Sequence, residues 1–92
     1  MSAMSDIFSD NSGLGRFELA VDDRLAFARY RREPGRLAIL YVEAEPTLRG
    51  TGAAGRLMRE IVSLAESEGR KVIPICGYAV AWMKRYRPEM VG

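Results

Sequence analysis

Between Arg16 and Asp22 the chain reads RFELAVD, with Phe17, Leu19 and Val21 alternating with polar or small residues. That is the period of a half-buried strand. Asp22 and Asp23 suit a tight turn. RLAFARYRRE follows, with Leu25 and Phe27 on one face and Tyr30 on the other, and Pro34-Gly35 closes a second hairpin. From Arg36 to Pro46, RLAILYVEAEP is apolar on both faces, with Leu37, Ile39, Tyr41 and Glu43 sharing one side. Such a strand is expected in the middle of a sheet, covered on both sides. After a glycine-rich loop, Ala54, Leu57, Met58, Ile61, Leu64 and Ala65 recur at three- and four-residue steps, which predicts an amphipathic helix stopped by Gly69. RKVIPIC is a short buried strand, in which Pro74 requires an edge or a gap because it has no amide to donate. GYAVAWMKRYRPEM predicts a last short helix. The expected order is β-β-β-α-β-α, a mixed and mostly antiparallel α+β sheet whose last strand runs parallel to the third.

The first 15 residues fit no such pattern. They are rich in Ser, Asp, Asn and Gly and predict a flexible tail, with Ile7 and Phe8 able to dock on a groove. They carry neither a basic start nor an apolar run, so neither a signal peptide nor a membrane span is expected, and the chain reads as cytoplasmic.

Composition narrows the chemistry. Ninety-two residues, 48% of them hydrophobic, make one small domain. Fourteen basic residues against 12 acidic ones give a net charge of +2, a mixed surface that predicts no nucleic-acid partner and no membrane. Cys76 is the single cysteine and histidine is absent, which excludes an internal disulfide, a cysteine-based metal site and the commonest general base. No metal is expected.

RGTGAAG, from Arg49 to Gly55, matches G-x-G-x-x-G. A dinucleotide fold would place this motif after the first strand of a parallel array and an acidic residue about 20 positions later. Here three hairpin strands come first and the later segment, GRKVIPIC, has no acid. A P-loop would need Gly-Lys-Ser/Thr. The local physics supports an anion site: small residues let a ligand reach the backbone, the helix N-terminus offers free amides, and Arg49 adds a full charge. The bland alternative is a tight turn that lets helix and sheet pack closely.

The strand, LRGTGAAGRLM and helix together resemble the pyrophosphate-binding motif of the GNAT superfamily of acetyl-CoA-dependent N-acetyltransferases, Gln/Arg-x-x-Gly-x-Gly/Ala. Arg49, Gly52 and Ala54 occupy its fixed positions. The closer resemblance, over about Arg16 to Glu89, is to short single-domain GNAT-like proteins, which pair a strand like LYVEAEPTLRG with a later VIPIC and an aromatic helix. The resemblance implies a minimal GNAT-like domain over 16–92. It implies that CoA is held by Leu48, Arg49, Gly50, Thr51, Gly52, Ala53, Ala54 and Gly55, with its pantetheine arm along Glu43, Ala44 and Glu45. Acetyl-CoA and an unidentified amine acceptor are the expected partners, and the chain is compatible with a monomer or a homodimer.

Acetyl transfer needs a base for the amine, stabilisation of an oxyanion and a proton for the leaving thiolate. Glu43 and Glu45 are the base candidates, against the alternative of exposed strand-end carboxylates. Cys76, at the carboxyl end of a strand, is a candidate to protonate the thiolate or carry the acetyl group, since a following helix N-terminus favours a thiolate. Its alternative is a small buried hydrophobe. Many of the short relatives have histidine where Tyr41 stands and tyrosine, a frequent general acid, where Trp82 stands. Tyr78 or Tyr86 is left to act as acid, or to pack. A catalytically silent CoA-binding or protein-interaction module is the alternative function.

Overall fold

The computed structural model describes residues 6–92. Its elements are β1 (Asp6–Asn11), β2 (Arg16–Val21), β3 (Arg24–Glu33), β4 (Arg36–Ala44), α1 (Ala53–Ser67), β5 (Lys71–Pro74) and α2 (Gly77–Tyr86), with short 3-10 turns at Ser12–Leu14, Pro46–Leu48 and Pro88–Met90. The strands lie in chain order across one sheet. Successive strands from β1 to β4 are antiparallel, and β5 joins β4 in parallel after the α1 crossover. This is the expected α+β class with one strand more.

The extra strand corrects the expectation of a flexible tail over residues 1–15. Met1 to Ser5 lie outside the described residues, but Asp6–Asn11 pairs along its whole length with β2. Composition concealed it because its core-side positions are Asp6, Phe8 and Asp10. Phe8 stacks on Phe17 at 5.7 Å between ring centres. The two acids meet cations: Arg56 Nε is 2.6 Å from Asp6, and Arg32 Nη1 is 2.9 Å from Asp10, which also accepts from the Tyr30 hydroxyl.

One core forms between the sheet and the two helices. Phe17, Leu19 and Val21 of β2, Ala26 and Ala28 of β3, and Leu37 and Ile39 of β4 face Leu57, Met58, Ile61, Val62 and Ala65 of α1. Ala79, Trp82 and Met83 of α2 complete it, and α2 lies beside α1, joined to it by an Arg87–Glu66 ion pair. The expectation that β4 would be covered on both sides is therefore corrected. Among the described residues no helix covers the other face, and Ala38 is buried there between its cross-strand partners Arg31 and Ile73.

A second correction concerns the faces of β4. Arg29 pairs with Tyr41 but Tyr30 pairs with Ile39, which leaves Leu40 as an extra residue. Such a bulge reverses the alternation on the strand that carries it. Leu37 and Ile39 point into the core, and so do Val42 and Ala44 beyond the bulge. Tyr41 and Glu43 turn to the open face, opposite Arg29 and Phe27, and do not share a side with Leu37 and Ile39.

Candidate functional site

The RGTGAAG loop folds into a turn that leaves several amides free. Gly50 and Gly52 both take left-handed backbone, with φ of 80° and 84°, a conformation that costs any residue with a Cβ. Gly52 is the N-cap of α1, and the first helical bond runs from the Arg56 N–H to the Gly52 carbonyl at 3.0 Å. The Ala53 N–H reaches only the Thr51 hydroxyl, at 3.4 Å. The amides of Gly50, Gly52, Ala54 and Gly55 have no acceptor among the described residues. Free donors at the positive end of a 15-residue helix attract an anion. The Arg49 side chain is exposed beside them.

A cleft of about 320 Å³ opens over this turn, lined by Val42, Glu43, Ala44, Leu48, Arg49, Gly50, Gly52, Ala53, Ala54, Gly55 and Tyr78. Strand geometry explains its position. The last β4–β5 pair is Ile39 with Pro74, followed by a bond from the Ile75 N–H to the Ile39 carbonyl at 2.9 Å. Beyond it the strands part, since β4 runs on to Ala44 while β5 stops at the proline and α2 begins. The edge of β4 from Leu40 to Ala44 faces this gap, with Tyr78 across it.

Nine of the 11 residues expected to hold the cofactor line this one cleft, and two do not. Glu45 turns aside, its carboxylate accepting the Leu25 N–H at 2.7 Å, which ties the end of β4 to β3. Thr51 bonds within the turn to the Leu48 carbonyl and the Ala53 amide. Both act on the shape of the loop.

Of the three candidates for the chemistry, Glu43 and Tyr78 line the cleft and Cys76 stands just before it in chain. Glu43 accepts a hydrogen bond from the Tyr41 hydroxyl. That bond raises the Tyr41 phenol above the ordinary tyrosine range; the Arg49 charge opposes the rise and the Cys76 thiol adds a little to it. Burial raises the Tyr78 phenol, with a smaller contribution from Tyr86, so it stays protonated at neutral pH. Cys76 is half-buried and caps α2, its sulfur accepting the Ala79 N–H at 3.4 Å. Trp82 is buried and tilts against Tyr86 at 5.0 Å.

Sequence reasoning missed a second cleft of about 360 Å³, between Gly52 and Gly55 on one side and Tyr78, Ala81, Trp82, Arg85 and Tyr86 on the other. It meets the first at Gly52, Gly55 and Tyr78. The signal was present as the helical spacing of Tyr78, Ala81, Trp82 and Arg85, but the buried stripe of α2 is Ala79, Trp82 and Met83, and the other three face solvent. Among the described residues no group of acidic or cysteine side chains is gathered for a metal ion, and no helix is long and apolar enough to cross a membrane.

Residues 16–90 match the model of a family described as GCN5-related N-acetyl-transferase. No curated protein matches the chain.

Proposed function

Because the chain belongs to the GCN5-related N-acetyltransferase family, we propose that it binds acetyl-CoA in the loop cleft and transfers the acetyl group to an amine. The observation that carries this reading is the set of uncommitted amides at Gly50, Gly52, Ala54 and Gly55 beside Arg49, a donor array suited to a pyrophosphate. The parted edge of β4 supports it further, since an extended pantetheine arm can bond to free strand amides and carbonyls between Val42 and Ala44.

When bound, acetyl-CoA supplies an activated acyl group on a thiol leaving group. Glu43 takes a proton from the acceptor ammonium, which frees the nitrogen lone pair for attack. Attack forms the C–N bond and a tetrahedral oxyanion. As the C–S bond then breaks, the departing sulfur takes a proton from the Tyr78 phenol or the Cys76 thiol, and the second proton of the nitrogen restores that group, while Glu43 gives the first to solvent. Tyr41 orients the Glu43 carboxylate through its hydroxyl. Free backbone amides along the β4 edge are the candidate donors to the developing oxyanion.

Calorimetry with acetyl-CoA and a thiol-release assay over a panel of amines test the two halves of the proposal. Micromolar to millimolar binding is expected, and its absence removes the cofactor assignment. In turnover, Glu43→Gln should lower kcat by about 100-fold with CoA affinity retained. Cys76→Ala separates the two sulfur-side acids: an unchanged kcat gives that role to Tyr78. Binding without thiol release from any amine would make the chain a CoA-binding module.

A further inference from the structure

The face of the sheet away from the helices is bare among the described residues, and the bulge at Leu40 places Tyr41 and Glu43 on it. Glu43 also lines the loop cleft, so the two surfaces are continuous. Register arranges the open face in rows. Glu43 stands opposite Phe27, and Phe27 opposite Glu18; in the next row Tyr41 stands opposite Arg29, and Arg29 opposite Arg16. Arg16 is already engaged, with Nε 2.6 Å from Glu18 and its guanidinium 4.6 Å from the centre of the Phe27 ring. Arg29 is exposed and makes no side-chain hydrogen bond or ion pair among the described residues. Like charges directly opposite on neighbouring strands repel, so this row carries surplus positive charge beside Tyr41. Further along the same face Arg31 meets Glu33 at 2.8 Å, but the two side chains are 58% and 36% exposed, a pair that a competing carboxylate can exchange.

Resting on the acetyltransferase reading above, we infer that this face is the acceptor platform, and that the acceptor is an amino group carried on an extended acidic polypeptide segment. The ammonium sits at Glu43 against the rings of Phe27 and Tyr41, where a carboxylate and two aromatic faces favour a cation. Its acidic neighbours lie over Arg29 and Arg31. Same-side side chains of an extended chain recur about every 6.6 Å, which is the spacing of two residues along β3. A small free amine reaches Glu43 but not the arginines. A basic segment would set like charges against Arg29 and Arg31. Single-stranded nucleic acid could stack on Phe27, but Glu18 and Glu43 flank that ring in its own row and repel phosphate.

The test is a steady-state comparison of peptides that share one lysine and differ at alternate flanking positions, Glu, Gln or Arg, with a short alkylamine as a fourth acceptor. Glu flanks should raise kcat/KM about 10-fold over Gln flanks, the preference weakening with salt. In Arg29→Gln the Glu-over-Gln ratio should fall about 5-fold, and in Arg29→Glu it should reverse. Lys84→Gln, which removes the same charge from exposed α2, should keep the wild-type ratio. Flank-independent turnover, a preference for Arg flanks or for the alkylamine, or an unchanged ratio in Arg29→Gln overturns the inference. Acetyl-CoA calorimetry on the same variants keeps the two ideas apart, because lost cofactor binding sinks the acetyltransferase reading itself. Should CoA bind without turnover, anisotropy of a labelled Glu-flanked peptide with CoA present decides. Saturable binding that Arg29→Glu abolishes supports the platform; no binding, or tighter binding of an oligothymidine, overturns it.

Discussion

Gly52 and Gly55 stand three residues apart and answer to different constraints. At Gly52 the backbone itself forbids a side chain: with φ at 84°, alanine there costs about 1 kcal/mol although its Cβ would meet only Arg56 Nη1 at 3.5 Å. Gly55 has ordinary helical backbone, and a Cβ on it would touch Trp82 Nε1 at 3.5 Å and the Tyr78 hydroxyl at 3.6 Å, both normal contacts. Gly55→Ala should therefore raise stability by about 0.5 kcal/mol through helix propensity. Its methyl nevertheless occupies the point where the two clefts meet. Thermal melts of the two variants should move in opposite directions while calorimetry shows weaker acetyl-CoA binding in both. Unchanged affinity in both would remove the loop as the anion site. The glycine spacing was legible in sequence because few residues tolerate that backbone. The direction of the Glu45 side chain was not legible for the complementary reason: a carboxylate near a loop carries no mark of whether it points at a ligand or at the Leu25 amide.

At the scale of elements, α1 was legible because burial on one helical stripe leaves a strong period. The buried set is Ala53, Leu57, Met58, Ile61, Val62 and Ala65, with Ala54 and Leu64 at its margin, a rotation of a few tens of degrees from the sequence reading. The open face was hidden because the Leu40 bulge changes the parity of β4 without changing its composition. The β1 strand was hidden because ion pairs, rather than apolar side chains, hold its core-side ends. Arg32 illustrates that mode of attachment, reaching Asp10 of β1 and, through Nε at 3.1 Å and Nη2 at 2.9 Å, both carboxylate oxygens of Glu68 beyond α1. Arg32, first, and then Arg70 hold the Glu68 carboxyl below its ordinary value, against the opposing effect of burial. A depressed carboxyl stabilises the fold above its unfolded pKa, and that contribution disappears as pH falls through the folded value. Glu68→Gln should be less stable by about 1 kcal/mol at pH 7, allowing for solvent screening of a partly exposed bidentate pair. Urea unfolding from pH 7 downward checks the sign: the gap between the two proteins should start to narrow as pH falls through the ordinary glutamate range and close only below the lowered folded value.

For the molecule as a whole, one continuous core joins the sheet to both helices, and the loop cleft lies where β4, α1 and α2 meet. A ligand seated there contacts three elements that must separate on unfolding, so it binds the native state and not the unfolded chain. At 100 times its dissociation constant such a ligand adds about 2.7 kcal/mol of stability. A domain of this size gains several degrees in Tm per kcal/mol, so acetyl-CoA at that excess should raise Tm by roughly 10–20 °C. Trp82, the only tryptophan, is buried in the core and lines the second cleft, so one fluorophore reports both the melt and the ligand. The ligand-induced shift should shrink in Gly52→Ala when acetyl-CoA is held at the wild-type concentration, because the variant's affinity is lower. A shift of equal size in both proteins would mean that the ligand stabilises the fold from somewhere other than the Gly52 loop. The same melt followed by far-ultraviolet circular dichroism should coincide with the fluorescence transition, since α2 shares its core with β2, β4 and α1 and has no separate hydrophobic cluster among the described residues to unfold alone.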